Sequence, residues 1–254
     1  MSEAALPPGD RGRDGSQRVV LFDLDGTLIR TEGAGRRALE RAWELCFGTP
    51  VVLEGRWFAG RSDLAIFREL ARRQGLVHEY GARIDSLIRA YLGFLEQELS
   101  VRPGAVLPGV RELLGWAVRE AGWVPVLATG NLEGGARLKL ARFDLHRFFP
   151  VGGFGSDGER RVDILRAAVR RAQEHFKRPV RAAVVVGDTP LDIQAAHQMG
   201  WPALAVATGP YDLAELEVST PDVALPDLSD WGKVVRLLDD MLTAAGRPGP
   251  HAIP

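Results

Sequence analysis

Arg18-Val19-Val20-Leu21-Phe22 runs without a break into Asp23-Leu24-Asp25-Gly26-Thr27. Four consecutive apolar residues, two of them β-branched, spell a strand buried on both faces. The acidic turn that follows ends it. In extended chain, Asp23 and Asp25 point to the same side, roughly 7 Å apart. Two carboxylates at a strand end repel each other, and burial adds a desolvation cost. A hard divalent cation resolves both penalties; a solvated turn is the plainer alternative.

Working outward, the same design recurs. Ala182-Ala183-Val184-Val185-Val186 is the clearest buried strand, and Gly187-Asp188-Thr189-Pro190-Leu191-Asp192 follows it directly. Thr189 suits a helix N-cap and Pro190 the first helical position. Asp192 then falls at the third, where an acid also complements the helix dipole. Asp188 has no such structural excuse. Val124-Pro125-Val126-Leu127-Ala128 is a third strand, ending at Thr129-Gly130-Asn131. A hydroxyl and free backbone N–H groups there are able to bind phosphoryl oxygens, and Asn131 would equally serve as a cap. Arg160-Arg161 precedes a helical pattern, where two solvated arginines compete with a fixed cation for a phosphate site. Residues 151–154 and 203–207 read as further strands. Helices are expected at 108–121, 133–142, 162–175, 190–199 and 232–244. Strands alternating with helices predict a parallel sheet covered on both faces, and ligands bind at the carboxyl ends of such strands.

One stretch breaks the alternation. From about 32 to 100 only helical spacing occurs, in Leu39, Ala42, Trp43, Cys46 and Phe47, then Leu64, Phe67, Leu70 and Ala71, then Leu87, Ile88, Tyr91, Leu92 and Leu95. Crossovers are usually much shorter, so this block is expected to be a separate lobe. The expected division is a core of 18–31 with 101–245, a helical insert of 32–100, and flexible tails at 1–17 and 246–254.

Composition sets the class. A charged fraction of 26% and a hydrophobic fraction of 46% are those of a globular protein. The formal net charge of −1 gives no bulk electrostatic case for nucleic acid or an anionic membrane. Cys46 has no intrachain partner, which favours a reducing compartment. No apolar signal-peptide stretch opens the sequence, and no apolar run is long enough to span a bilayer. A cytoplasmic protein is expected, monomer or homodimer. Only Lys139, Lys177 and Lys233 are lysines.

These pieces, in this order, resemble the haloacid dehalogenase superfamily. Its first motif, DxDGT, is matched by Asp23 to Thr27; its second, a strand-end Ser or Thr, by Thr129. The third, a Lys or Arg before a helix, is matched by Arg161 or Arg160, with Arg161 preferred from its distance to Asp157. The fourth, GDxxxD, is matched by Gly187, Asp188 and Asp192. The insert looks like the C1 helical cap of the phosphoglycolate phosphatase-like branch. The resemblance covers about residues 18–243. It implies a Rossmann-like parallel sheet with an inserted all-helical cap, and Mg²⁺-dependent hydrolysis of a small phosphorylated metabolite. Asp23 would attack phosphorus, and Asp25 would protonate the leaving oxygen and then activate water. Thr129, Gly130, Asn131 and Arg161 would hold the phosphoryl group. Mg²⁺ would be held by Asp23, the backbone carbonyl of Asp25, Asp188 and Asp192. In the cap, Arg61, with Arg56 behind it, is expected to read a second anionic group of the substrate; Arg61 paired to Asp63 is the alternative. Asp25 argues against dehalogenation, and the lack of lysine in 31–100 argues against phosphonate hydrolysis by imine formation. A sugar phosphomutase and a catalytically silent binding protein are the remaining alternatives.

Overall fold

The structure is a computed structural model that describes residues 15–120 and 122–245. Strand β1 (Gln17–Phe22) is followed by a short β2 (Ile29–Arg30), then by three helices, α1 (Ala34–Phe47), α2 (Asp63–Gln74) and α3 (Val77–Val101). A second short strand, β3 (Ala105–Val106), leads to α4 (Val110–Glu120), β4 (Val124–Ala128), α5 (Glu133–Arg142) and β5 (Gly152–Gly153). The chain continues with α6 (Arg161–Phe176), β6 (Val180–Gly187), α7 (Pro190–Gln198), β7 (Ala203–Val206), α8 (Leu213–Glu217), β8 (Val223–Leu225) and α9 (Trp231–Ala245). Most of the 1–17 tail expected from the sequence, and the 246–254 tail, lie outside the described residues. Gln17 belongs to β1 instead, its N–H bonded to the Pro179 carbonyl at 2.9 Å.

Six strands form one sheet in the order β5-β4-β1-β6-β7-β8, and every pairing is parallel. The apolar runs are continuous because both faces are covered. Successive residues point to opposite faces. Val20, Phe22, Val184 and Val186 therefore pack in one core cluster, with residues of α4 and α9. Val19, Leu21, Ala183 and Val185 pack in another, with residues of α6 and α7. From β1 the chain builds outward through β4 and β5, then returns to β6 on the other side. The carboxyl ends of β1, β4 and β6 are thus neighbours.

The helical block packs on itself. Trp43 of α1, Phe67 of α2 and Leu87 and Leu95 of α3 share a third apolar cluster, to which the core contributes chiefly Leu132. Trp43 is fully buried, and its indole N–H donates to Gln74 Oε1 at 2.7 Å. Ser62 caps α2, accepting the Ala65 N–H at 3.3 Å. The chain leaves the core through β2 and returns through β3, and these two strands pair antiparallel, Ile29 with Val106 and Arg30 with Ala105. Among the described residues, no helix is long and apolar enough to cross a membrane.

Candidate active site

Asp23 continues the β1 ladder by one residue, its N–H bonded to the Val186 carbonyl of β6 at 2.9 Å. Asp188 follows β6, and Asp192 sits one turn into α7. Carboxylate oxygens of these three buried residues lie within 4.8 Å of one another. Acidic groups remote in sequence therefore converge at the sheet's carboxyl edge. Thr189 is the N-cap of α7 and Pro190 its first residue. The Asp192 Oδ2 accepts from the Thr189 hydroxyl at 2.8 Å and its N–H at 3.2 Å, which fixes the acid by local geometry. Gly26 has φ 84, and a side chain there would collide with Asp188. The turn after Asp25 thus needs glycine both for its backbone angle and for its approach to the acid.

Of the two adjacent arginines, Arg161 is the one the fold buries, at 8% exposed. It opens α6. Its Nε donates to Asp192 Oδ1 at 2.7 Å, and its Nη2 lies 2.5 Å from Asp23 Oδ1 and 2.5 Å from Asp192 Oδ1. Arg160 does not share these contacts. Burial works against the Arg161 charge, but Asp192 and Asp23 outweigh it and hold the guanidinium protonated.

Three carboxylates face one guanidinium, so negative charge is left over. Burial raises the Asp23 carboxyl from the usual 3.8 to about 6, against the pull of Arg161, and the Asp192 and Asp25 charges add to the rise. Asp188 is pushed well above the carboxylate range by burial, then by the charges of Asp23 and Asp192. Clustered hard oxygen donors with excess negative charge suit a divalent cation such as Mg²⁺.

Asp25 stands apart from this cluster. Its side chain is 38% exposed. Its Oδ2 accepts from Asn131 Nδ2 at 2.7 Å and from Lys139 Nζ at 2.6 Å. Asn131 does not cap α5, whose N-cap is Leu132. Its amide instead donates also to Thr129 Oγ1 at 2.9 Å and accepts from Lys139 Nζ at 2.6 Å. Thr129 is anchored by its own N–H to the Gly153 carbonyl at 3.0 Å. Gly130 lets a cap loop close in: the Asp63 N–H reaches its carbonyl at 2.8 Å, and a side chain there would strike the Arg61 backbone.

These groups line a cavity of about 520 Å³. Asp23, Asp25, Thr129, Arg161 and Asp188 belong to its core side, and Leu39, Phe58, Arg61 and Ile66 to the cap side. Arg61 is therefore at the cavity. It makes no ion pair with Asp63 among the described contacts; its guanidinium lies 6.0 Å from the Trp57 ring. Asp63 is directed inward, where Oδ2 accepts the Leu132 N–H at 2.7 Å and the carboxylate accepts from Tyr91. Burial lifts its pKa to about 6, opposed by the Lys139 charge and by the Leu132 N–H.

Arg56 departs from the expectation that it backs Arg61. It pairs with both Glu215 oxygens, at 2.9 and 2.8 Å, and with the Pro210 carbonyl at 2.8 Å. It also lies over the Tyr211 ring. These contacts clip the cap loop to the core, and Arg56 is not among the residues lining the cavity. Sequence reasoning also passed over Lys139, Asp63 and Tyr91 as site residues. Lys139 carried a signal: Gly135, Ala136, Lys139 and Leu140 are the buried residues of α5, a spacing that puts the lysine on the inward face.

Comparison with known proteins fits this geometry. The family model for haloacid dehalogenase-like hydrolases matches residues 17–200. The chain is 28% identical over 214 residues to the probable phosphatase IndB of Dickeya dadantii, covering 84% of this chain and 90% of that protein. It is 28% identical over 229 residues to the phosphoglycolate phosphatase of Pseudomonas syringae pv. tomato, covering 83% and 77%. The crystal structure of a hydrolase from Pseudomonas syringae superposes with TM-score 0.65 at 22% identity, covering 89% of this chain and 99% of that one.

Proposed function

From the premise that the chain belongs to the haloacid dehalogenase-like hydrolases, we propose that it is a Mg²⁺-dependent phosphatase acting on a small phosphorylated metabolite through an aspartyl-phosphate on Asp23. The observation that carries the reading is the meeting of Asp23, Asp188 and Asp192 around one buried arginine, with Asp25 beside them at the cavity. Asp23, Asp188 and the backbone carbonyl of Asp25 would hold Mg²⁺, with Asp192 direct or through water. The bound ion supplies positive charge that lets an anionic carboxylate approach an anionic phosphate.

The chain's own residues do the rest. Asp23 attacks phosphorus as the ester oxygen departs, and Asp25 gives that oxygen a proton. Asp25 then takes a proton from the water that cleaves the acyl phosphate, regenerating Asp23 and releasing phosphate. Arg161 aims Asp23 and neutralises part of the charge on the transferring group. Thr129 and the N–H groups of Gly130 and Asn131 hold its equatorial oxygens, where positioning and electrostatics dominate. The cap excludes bulk water from the cavity, and Arg61 offers a cation to the leaving portion of the substrate.

Phosphate release from a panel of phosphorylated metabolites, with para-nitrophenyl phosphate as the general probe, tests the reading. Turnover should require Mg²⁺ and vanish in Asp23→Asn. Isomerisation of a phosphosugar without free phosphate would replace it with a phosphomutase.

A further inference from the structure

Lys139 is among the most enclosed charges in the molecule, at 3% exposed. Removing an ammonium from water is costly and is tolerated only where it is fully paired. Here its partners are Asp25 Oδ2 and Asn131 Oδ1, each at 2.6 Å. Asn131 donates to that same Asp25 Oδ2 at 2.7 Å. Two donors therefore converge on one oxygen of a carboxylate that is otherwise at the cavity. Among the described residues, no side-chain hydrogen bond reaches Asp25 Oδ1. The clamp is asymmetric: one oxygen is fixed, and the other is left for whatever enters the cavity.

We propose that Lys139 is a positioning residue that, with Asn131, pins Asp25 Oδ2 so that Oδ1 is the oxygen that exchanges protons with the substrate. This rests on the acid–base reading of Asp25 given above. In the first step the Asp23 oxygen–phosphorus bond forms, the ester phosphorus–oxygen bond breaks, and the proton on Asp25 Oδ1 passes to the departing oxygen. Without the lysine the carboxylate would turn about its Cβ–Cγ bond, and the proton would spend much of its time away from that oxygen.

The test uses two substrates of nearly the same shape. Nitrophenolate leaves readily without a proton, whereas phenolate depends on the acid. The full chain and its Lys139→Met and Asp25→Asn variants are compared by kcat/KM for para-nitrophenyl phosphate and phenyl phosphate. Asp25→Asn should lose far more on phenyl phosphate, and Lys139→Met should show the same selectivity, at least about tenfold. Equal losses on both substrates, or no loss, in Lys139→Met overturn the proposal while leaving the role of Asp25 intact. An Asp25→Asn protein without the selectivity overturns the acid–base reading, and the proposal with it. Should the methionine protein not fold, Lys139→Gln, which keeps an N–H donor, is read the same way and should show a smaller selectivity of the same sign.

Discussion

Asp63 and Asp23 are both acids drawn into the protein, yet they answer to different experiments. Asp63 has a folded-state pKa of about 6 against an ordinary 3.8, so the native state binds its proton more tightly than the unfolded chain does. Its contribution to stability is therefore full below about pH 4 and lost as pH rises through about 6. Asp63→Asn carries no such dependence. Urea unfolding should show the variant gaining on the parent by about 2–3 kcal/mol between about pH 4 and about pH 7; parallel curves would refute the assignment. Asp23→Asn should instead leave folding intact and lower kcat by at least ~10⁴-fold, measured as phosphate release. The sequence showed Asp23, Asp188 and Asp192 because each follows a strand signal at short range. It also favoured Arg161 over Arg160, and the fold buries Arg161. Lys139 was passed over because its partner Asp25 lies 114 positions away. The pairing of Arg56 with Glu215 was not legible because the two are more distant still.

Elements of four or more residues were legible except the five-residue α8, and the two- and three-residue ones mostly were not. Strand β4 falls on the expected span, and α5 does as well. The first two residues of β6 were missed because Val180 and Arg181 are not fully buried. Strands β2, β3 and β8 have too few residues for a period to show; they exist because a neighbour pairs with them. The edge strand β5 was expected and is only Gly152–Gly153, paired to Leu127 and Ala128. The turn after β1 carries its own prediction. Gly26→Ala forces an L side chain into φ 84 and against Asp188. It should cost about 1–3 kcal/mol in thermal or chemical unfolding and lower turnover by displacing Asp188. A variant as stable and active as the parent would contradict the described turn.

At the scale of the molecule, two bodies of packed side chains meet across the cavity, and a cation and a clip should govern how they behave. The proposed function has Mg²⁺ bound by the native acids and not by the unfolded chain, so adding it to metal-stripped protein should raise Tm, by the equivalent of about 2.7 kcal/mol at a hundred times Kd. Asp188→Asn should lose most of that rise. Arg56 and Glu215 are both solvent-accessible, so Arg56→Ala should leave Tm nearly unchanged. It should still speed hydrogen exchange in the loop around residues 54–61; unchanged exchange would mean that the clip is ornamental. The pairing of β2 with β3 has a wider consequence. The chain departs at Arg30 and re-enters at Ala105, on facing rungs of one antiparallel ladder, a gap that a two-residue turn can bridge. Everything between is a cartridge: one lid could be withdrawn and another of different length slotted in, without shifting a rung of the parallel sheet. A lineage that keeps this socket can trade its range of esters while its bond-breaking apparatus stays the same.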